Sequence, residues 1–352
     1  MDIAAFCRQS RVLVVAGKGG VGKTTVTAAL ARMAAGAGLD VLVVELEGKP
    51  GVATAFGGTG SLRYDQSALA AHPTSDPGTG DRGTGTVHAR RITPDDALLE
   101  YLADHGMGRI SKRLVSSGAL DVVATAIPGI RDILVLGKIK QLERGSDADL
   151  ILVDAPATGH AMTFLSSAQG LLDAARSGPV RTQAAEVVEL LTDPRRCQVA
   201  LVTLPEEMPV NEVVEAAYQL EDKVGLTLGP VIVNACLPDE PWLSEDPGVA
   251  ADRAGVTLTD EQADALATAA AFRASRHRLQ AEQRRRLAEE LPLHQLIAPF
   301  LFSDSIGPAE IETIARALAA AVTAYADEPD TSDEPDSSDQ PDSSDQPGGA
   351  GS

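Results

Sequence analysis

The sequence predicts an α/β fold with a mostly parallel sheet flanked by helices, and three observations support this prediction. Several short apolar runs are rich in Val, Leu and Ile, which is typical of strands buried on both faces. Ala- and Leu-rich segments with helical spacing alternate with these runs, as in βαβ units. A glycine-rich turn joins the first run directly to a helix. The clearest predicted strands are 12–16, 40–45, 149–154, 197–204 and 230–234.

The glycine-rich turn lies in GKGGVGKTT at 17–25, where Gly17, Gly22, Lys23 and Thr24 match G-x-x-x-x-G-K-[ST]. Glycines allow successive N–H groups to point at phosphate oxygens, and the helix N-terminus adds partial positive charge. The lysine of this motif reaches the β/γ-phosphates, and the hydroxyl after it ligates Mg²⁺. The alternative is a turn that binds nothing. It is disfavoured because the strand and the helix flank the motif as the mechanism requires.

A second lysine, Lys18, lies inside the same loop. It cannot reach the phosphates that Lys23 contacts without crowding them. KGGVGKTT resembles the deviant P-loop (SIMIBI-type) class, in which this extra lysine reaches across a dimer interface to the partner's nucleotide. The alternative is a solvated lysine at the mouth of the loop.

Polar residues follow the predicted strands at their carboxyl ends, where ligands bind in open α/β sheets. Glu45 and Glu47 follow the second strand and are candidate site acids, or else solvated loop acids. Asp154 ends DLILVD, the position of an acid that holds Mg²⁺ directly or through water. His160 follows in a predicted turn at 155–160 and is a candidate γ-phosphate-sensing switch. Asn234 either hydrogen-bonds the adenine edge or serves turn chemistry.

Between the second predicted strand and the strand that begins at Asp149, the sequence predicts more helices than a simple crossover connection needs. We therefore expect one P-loop domain over 1–325 with an inserted helical subdomain at about 93–145, whose apolar residues form ordinary core or a client groove. We also expect a mobile loop at 72–85, arginines of the long helix paired with nearby glutamates, and a disordered acidic tail at 326–352. The other predicted helices are 95–102, 109–115, 130–142, 183–191, 259–290 and 311–325, and the other predicted strands are 87–92 and 292–297.

Composition excludes several function classes. The net charge is −20, and such an acidic chain argues against nucleic-acid binding, which needs clustered Lys and Arg. The three cysteines are far apart, with no C-x-x-C, which is typical of the reducing cytosol. The first ten residues do not follow a secretory signal pattern. We expect a cytoplasmic protein.

Four motifs together resemble the ArsA family, which includes the arsenite-pump ATPase subunit and the guided-entry ATPase that delivers tail-anchored membrane proteins. GKGGVGKTT is similar to the family's P-loop, and DAPATGH at 154–160 is similar to its switch II, D-T-A-P-T-G-H. TLPEEMPVNE at 203–212 and VIVN at 231–234 are similar to its later strand segments. The resemblance covers most of 11–325, and DAPATGH favours ArsA over the MinD and ParA ATPases.

The resemblance implies a cytosolic ATPase that binds ATP and Mg²⁺ in a nucleotide-sandwich dimer, either a homodimer or a heterodimer with an ArsA-like paralogue. It would act on a client protein or in a membrane-associated or transport process. The implied nucleotide contacts are Gly19, Gly20, Val21, Gly22, Lys23, Thr24, Thr25 at the α-phosphate, and Asn234 at adenine. The other implied roles are Mg²⁺ binding by Thr24 and Asp154, the partner's site for Lys18, and orientation of the attacking water by Glu47.

Some residues depart from the family pattern. The family's switch I reads D-P-A-H, and here Glu47, Gly48, Lys49 and Pro50 replace it. The longer side chain of Glu47 moves its carboxylate, and a misplacement of about 1 Å can cost roughly 100-fold in rate. We therefore expect hydrolysis to be slow or to need a partner. The alternative function is a low-turnover nucleotide-binding subunit. Arsenite efflux is a weaker alternative because the spaced cysteines that bind arsenite in the family are missing. The zinc C-x-x-C that joins the guided-entry dimer is also missing. A divergent actinobacterial branch fits these departures best.

Overall fold

The computed structural model describes residues 2–46, 51–71, 85–104 and 129–327, and these form an α/β structure around one eight-stranded sheet. The strand order is β3-β4-β2-β5-β1-β6-β7-β8, and every neighbouring pair is parallel except β3 and β4. The predicted sheet is therefore confirmed. The strands are β1 Val12–Gly17, β2 Val41–Glu45, β3 Ser67–Ala71, β4 Thr86–Arg91, β5 Leu150–Ala157, β6 Cys197–Thr203, β7 Leu228–Cys236 and β8 Gln295–Pro299.

Helices cover both faces of this sheet. They are α1 Ile3–Cys7, α2 Lys23–Gly36, α3 Gly51–Ala55, α4 Pro94–Asp104, α5 Ile130–Gly145, α6 Thr158–Ala174, α7 Pro179–Thr192, α8 Glu207–Val224, α9 Pro247–Ala254, α10 Asp260–Glu290 and α11 Pro308–Asp327, with a 3₁₀ turn at Pro241–Ser244. None of the described helices combines the length and the apolar character needed to cross a bilayer.

Alternating side chains of the central strand explain why the core has two halves. Val12 and Val14 of β1 point into one hydrophobic cluster, which α5, α6, α7 and α8 cover. Val15 points into the other cluster, which α2 and α11 cover. Because both faces are buried, the strands read as nearly continuous apolar runs. The carboxyl ends of the parallel strands then meet at one edge, where the polar residues of the site lie.

The structure corrects some predicted elements. The turn predicted at 155–160 is wrong: β5 continues to Ala157 because it stays paired with β1 as far as Gly17, and α6 begins at once at Thr158. Two elements had no sequence signal that singled them out, the antiparallel edge strand β3 and the five-residue helix α3.

The long helix α10 is continuous over 31 residues, and a capping box between Thr259 and Gln262 fixes its start. The expected pairing within this helix is largely wrong. Arg286 contacts Glu290 four residues on, but Arg273 pairs with Glu240 and Arg276 with Glu206, each outside the helix. These contacts tie α10 to the loops that follow β6 and β7.

The predicted helical insert is only partly described. Helices α4 and α5 match the predicted segments 95–102 and 130–142, and Ile133, Leu136 and Ile139 of α5 belong to the main core. The predicted helix 109–115 lies outside the described residues, as do most of the predicted loop 72–85 and of the tail 326–352. The subdomain therefore stays a prediction.

We predict that Gly17→Ala lowers the free energy of unfolding by about 1–3 kcal/mol, the usual cost of overpacking. A Cβ at Gly17 would lie 2.3 Å from the carbonyl oxygen of Val202 on the neighbouring strand β6, and that backbone atom cannot move without opening the ladder. Gly170→Ala is the control. A Cβ there, on the exposed face of α6, meets nothing within 4 Å, so we expect a gain of about 0.5–1 kcal/mol. Urea denaturation measures both variants, and equal stabilities would contradict this packing account.

Candidate functional site

The loop between β1 and α2 owes its shape to two glycines with positive φ angles. Gly20 and Gly22 have φ values of +90° and +89°, which side chains other than glycine rarely adopt. Between them, Val21 is 1% exposed and anchors the loop in the core. A Cβ at Gly22 would lie 2.3 Å from the side-chain nitrogen of Asn234, so glycine is also needed for close packing. The loop is therefore held in one shape with its N–H groups near the start of α2.

Lys23, the first residue of α2, folds back over this loop. Its Nζ donates a hydrogen bond to the carbonyl oxygen of Lys18 at 3.1 Å. This contact keeps the ammonium at the helix N-terminus, where the partial positive charge of the helix is also concentrated. Two sources of positive potential therefore coincide at one point, which suits a polyanion such as a triphosphate.

Thr24 and Asp154 meet across the sheet, although 130 residues separate them. The Thr24 hydroxyl donates to Asp154 Oδ2 at 2.7 Å, and Asp154 is 7% exposed. Thr27, one turn further along α2, is fully buried and donates to the Lys23 carbonyl at 2.9 Å, with a longer contact of 3.5 Å to Asp154 Oδ1. The first turn of α2 is therefore fixed against the end of β5.

Glu45 ends β2 beside Asp154 and is 2% exposed. The two acids are register partners in parallel strands, so their side chains lie on the same face of the sheet. Burial is the main cause that raises the pKa of Glu45, to about 7, and the negative charge of Asp154 is the second cause. The N–H of Val52 and the charge of Arg91 lower this pKa by less, and no group in the described residues makes a hydrogen bond of normal geometry to the carboxylate.

These oxygen donors fit Mg²⁺ bound together with a nucleotide. Thr24 supplies a hydroxyl, Asp154 a carboxylate, and Glu45 two buried carboxylate oxygens that lack partners in the described chain. Mg²⁺ usually takes one or two carboxylates and completes its shell with waters and phosphate oxygens. The described residues hold no cluster of three or more His, Cys, Asp or Glu that could bind a metal ion.

The start of α3 closes over the same corner. A Cβ at Gly51 would lie 2.7 Å from the Thr24 methyl group, so the α3 backbone lies directly against the threonine. Val52 and Ala53, the next residues, are buried. This contact places the start of α3 at the site.

Asn234, near the end of β7, contacts the glycine-rich loop. Its side-chain nitrogen donates to the carbonyl oxygen of Val21 at 2.8 Å. Ala235 follows with a φ of 56°, an uncommon conformation for a residue with a side chain. Gln280, 8% exposed on α10, holds this turn by accepting from the Leu237 N–H at 2.8 Å and donating to the Ala235 carbonyl at 3.3 Å. No sequence pattern pointed to Gln280, because a glutamine in a polar helix is expected to face solvent.

Lys18 forms an ion pair within its own chain. Its Nζ contacts Glu212 Oε1 at the second turn of α8, and the two side chains are 41% and 34% exposed. An ion pair this exposed contributes only about 0–1 kcal/mol, so another acceptor can replace Glu212 at little cost. Lys18 is therefore held by a weak ion pair with Glu212, which it can exchange for another acceptor.

The other predicted site residues are placed as follows. Gly19 and Gly20 are exposed at the mouth of the loop, and Thr25 lies half-buried in the first turn of α2. Glu47 lies outside the described residues, as does the side chain of His160. The structure thus brings together Lys18, Lys23, Thr24, Asp154 and Asn234, while the assignment of Glu47 stays a prediction.

The comparison with protein families matches residues 12–326 to the CobQ/CobB/MinD/ParA nucleotide binding domain. That range contains every residue of the site described above. The match agrees with the parallel sheet and with the glycine-rich loop that follows its central strand.

Curated relatives narrow the family further. The chain is 39% identical to ATPase BagA of Mycobacterium tuberculosis over 235 residues, 65% of this chain and 66% of BagA. It is 28% identical to a Halobacterium salinarum protein named for driving an arsenical pump, over 66% of this chain and 36% of that protein. It is 27% identical to ATPase GET3 of Chaetomium globosum, over 45% of this chain and 43% of GET3. The chain thus spans less than two thirds of the length of each. It belongs to the CobQ/CobB/MinD/ParA nucleotide binding domain family, and within that family it resembles the ArsA- and GET3-like ATPases.

Proposed function

We propose that this chain is a Mg²⁺-dependent ATPase that works as a dimer and couples ATP binding and hydrolysis to movement of the helices around the site. The observation that carries this proposal is the hydrogen bond between Thr24 and Asp154, which joins the P-loop helix to an acid on β5. A glycine-rich turn that bound nothing would not need a hydroxyl and a buried acid held together at its end.

In this proposal each residue has a defined part. The N–H groups of 19–24 and the ammonium of Lys23 bind and orient the triphosphate. Thr24 and Asp154 hold Mg²⁺, whose charge stabilises the developing negative charge on the phosphate oxygens. Asn234 fixes the loop through Val21 and offers a polar edge toward the base. Glu47 orients the attacking water.

Two contacts support coupling to conformation. Gly51 at the start of α3 lies against Thr24, and α6 begins four residues after Asp154. A change in what Thr24 and Asp154 hold therefore acts directly on two helices, as in other nucleotide switches. Through these helices the chain would act on a client protein or in a membrane-associated process.

The dimer is supported by the surface around the loop. Met208, Trp242 and Phe302 are 60%, 63% and 71% exposed, and they lie in segments that follow β6, β7 and β8. Large apolar side chains grouped at one edge are typical of interaction surfaces. Lys18 lies at the same edge, so a second subunit, either a copy or a paralogue, would bring its nucleotide within reach of this lysine.

The second candidate is a low-turnover nucleotide-binding subunit. The replacement of D-P-A-H by Glu47, Gly48, Lys49 and Pro50 favours it. Steady-state phosphate release, measured for the pure chain and with a paralogous chain added, separates the two candidates. Turnover by the pure chain at the rate of its relatives would exclude the low-turnover function.

The cysteines support neither arsenite binding nor an oxidising compartment. Cys7, Cys197 and Cys236 are free and buried. Burial raises the pKa of the Cys7 and Cys197 thiols to about 12 and that of Cys236 to about 11, so the reactive thiolate is suppressed. We therefore propose a cytosolic protein whose ATPase does not respond to arsenite.

We predict that Lys23→Ala weakens ATP binding. Loss of a charged hydrogen-bond donor at the phosphates costs about 1.5–3 kcal/mol, so we expect ATP binding to weaken about 10- to 100-fold. Isothermal titration calorimetry with Mg²⁺ and ATP measures the dissociation constant. Lys223→Ala, an exposed lysine in the last turn of α8, is the matched control and should bind like the parent. If Lys23→Ala also binds like the parent, the loop is not the nucleotide site.

We predict that Lys18→Ala lowers turnover while ATP affinity is nearly unchanged. Because Lys18 pairs with the exposed Glu212 in the described part of the chain, its removal should leave ATP affinity within about threefold, a change under 1 kcal/mol. Loss of a transition-state contact in the dimer should lower phosphate release about 100-fold. Phosphate release over a series of protein concentrations tests this, since activity per subunit should rise with concentration for the parent. Unchanged turnover in Lys18→Ala would contradict a role across the interface.

A further inference from the structure

Glu45 is a buried acid that the P-loop motif does not account for. The residue is 2% exposed, and no group in the described residues makes a hydrogen bond of normal geometry to its carboxylate oxygens. Buried polar groups are almost always paired, and an ionised carboxylate is costly to bury alone. A compensating ligand would remove this cost.

The surroundings of Glu45 specify the charge of that ligand. Asp154, its register partner on β5, is also an acid and adds negative charge. Arg91, its register partner on β4, provides partial compensation without a hydrogen bond to the carboxylate. The N–H of Val52 faces the same space from α3. A cation between β2 and β5 would balance the two acids.

The position of Glu45 specifies which cation. Asp154 already accepts a hydrogen bond from Thr24, so the P-loop hydroxyl, Asp154 and Glu45 surround one corner at the carboxyl edge of the sheet. Hard oxygen donors of this kind bind Mg²⁺. We propose that Glu45 is a second carboxylate of the Mg²⁺ site, which holds the cation from the β2 side while Thr24 and Asp154 hold it from the other.

This inference rests on the proposed function, because it assigns one more residue to the same site. It also gives different roles to the acid that ends β2 and to the acid two residues later. Glu45 holds the cation, whereas Glu47 is left to orient water. A cation between β2 and β5 would then lie beside the start of α3, whose Val52 N–H faces Glu45.

The test compares the affinity for a non-hydrolysable ATP analogue in excess Mg²⁺ with the affinity in a chelator. For Glu45→Gln we expect the Mg²⁺-dependent gain in affinity to fall about 10- to 100-fold, the usual loss when a metal-supporting carboxylate is removed. In the chelator, affinity should not weaken, since a negative charge beside the triphosphate has been removed. Glu282→Gln, at an exposed glutamate of α10, is the control and should keep the full gain.

Two further measurements keep the outcome decisive. Thermal unfolding in the chelator should show Glu45→Gln at least as stable as the parent, because a buried charge without a partner is gone. Glu45→Asp, which keeps a carboxylate on a shorter stem, should retain part of the Mg²⁺-dependent gain. An equal loss of affinity with and without Mg²⁺, or a full Mg²⁺ gain in Glu45→Gln, would overturn this inference alone. A parent that binds no ATP analogue would overturn the proposed function as well.

Discussion

The hydrogen bond between Thr24 and Asp154 joins two parts of the chain that the fold must bring together before any nucleotide can bind. Thr24 lies at the start of α2, and Asp154 lies near the end of β5, which pairs directly with β1. The contact exists only if β1 occupies the middle of the sheet, flanked by β5 and β6. The chemistry of the site therefore depends on the loop geometry and on the order of strands in the sheet. The helices packed on both faces stabilise that order.

Much of this arrangement follows from local sequence rules. The strands beside β1 are nearly continuous apolar runs, and the glycine spacing of the loop specifies positive φ angles at Gly20 and Gly22. Asp154 was found from its place at the end of a strand. The ArsA resemblance, which rests on four motifs, is confirmed by the family match and by the curated relatives.

Other features depend on tertiary packing and could not be predicted. Strand β3 is a short Ala-rich segment that pairs antiparallel at the sheet edge, and its composition does not favour a strand. Lys18 pairs with Glu212, 194 residues away, which no local pattern encodes. Their positions in the sequence did not separate Glu45 from Glu47, and the family resemblance assigned a role only to Glu47. Only the register of β2 against β5 makes Glu45 the acid that lies beside Asp154 in the core.

The most direct test of the account is a crystal structure of the chain grown with Mg²⁺ and a non-hydrolysable ATP analogue. We expect the triphosphate within hydrogen-bond distance of the N–H groups of 19–24, with Mg²⁺ between Thr24 and Asp154 and the Thr24 hydroxyl turned from the acid toward the metal. A nucleotide bound elsewhere, with the loop empty and the bond between Thr24 and Asp154 intact, would contradict the account.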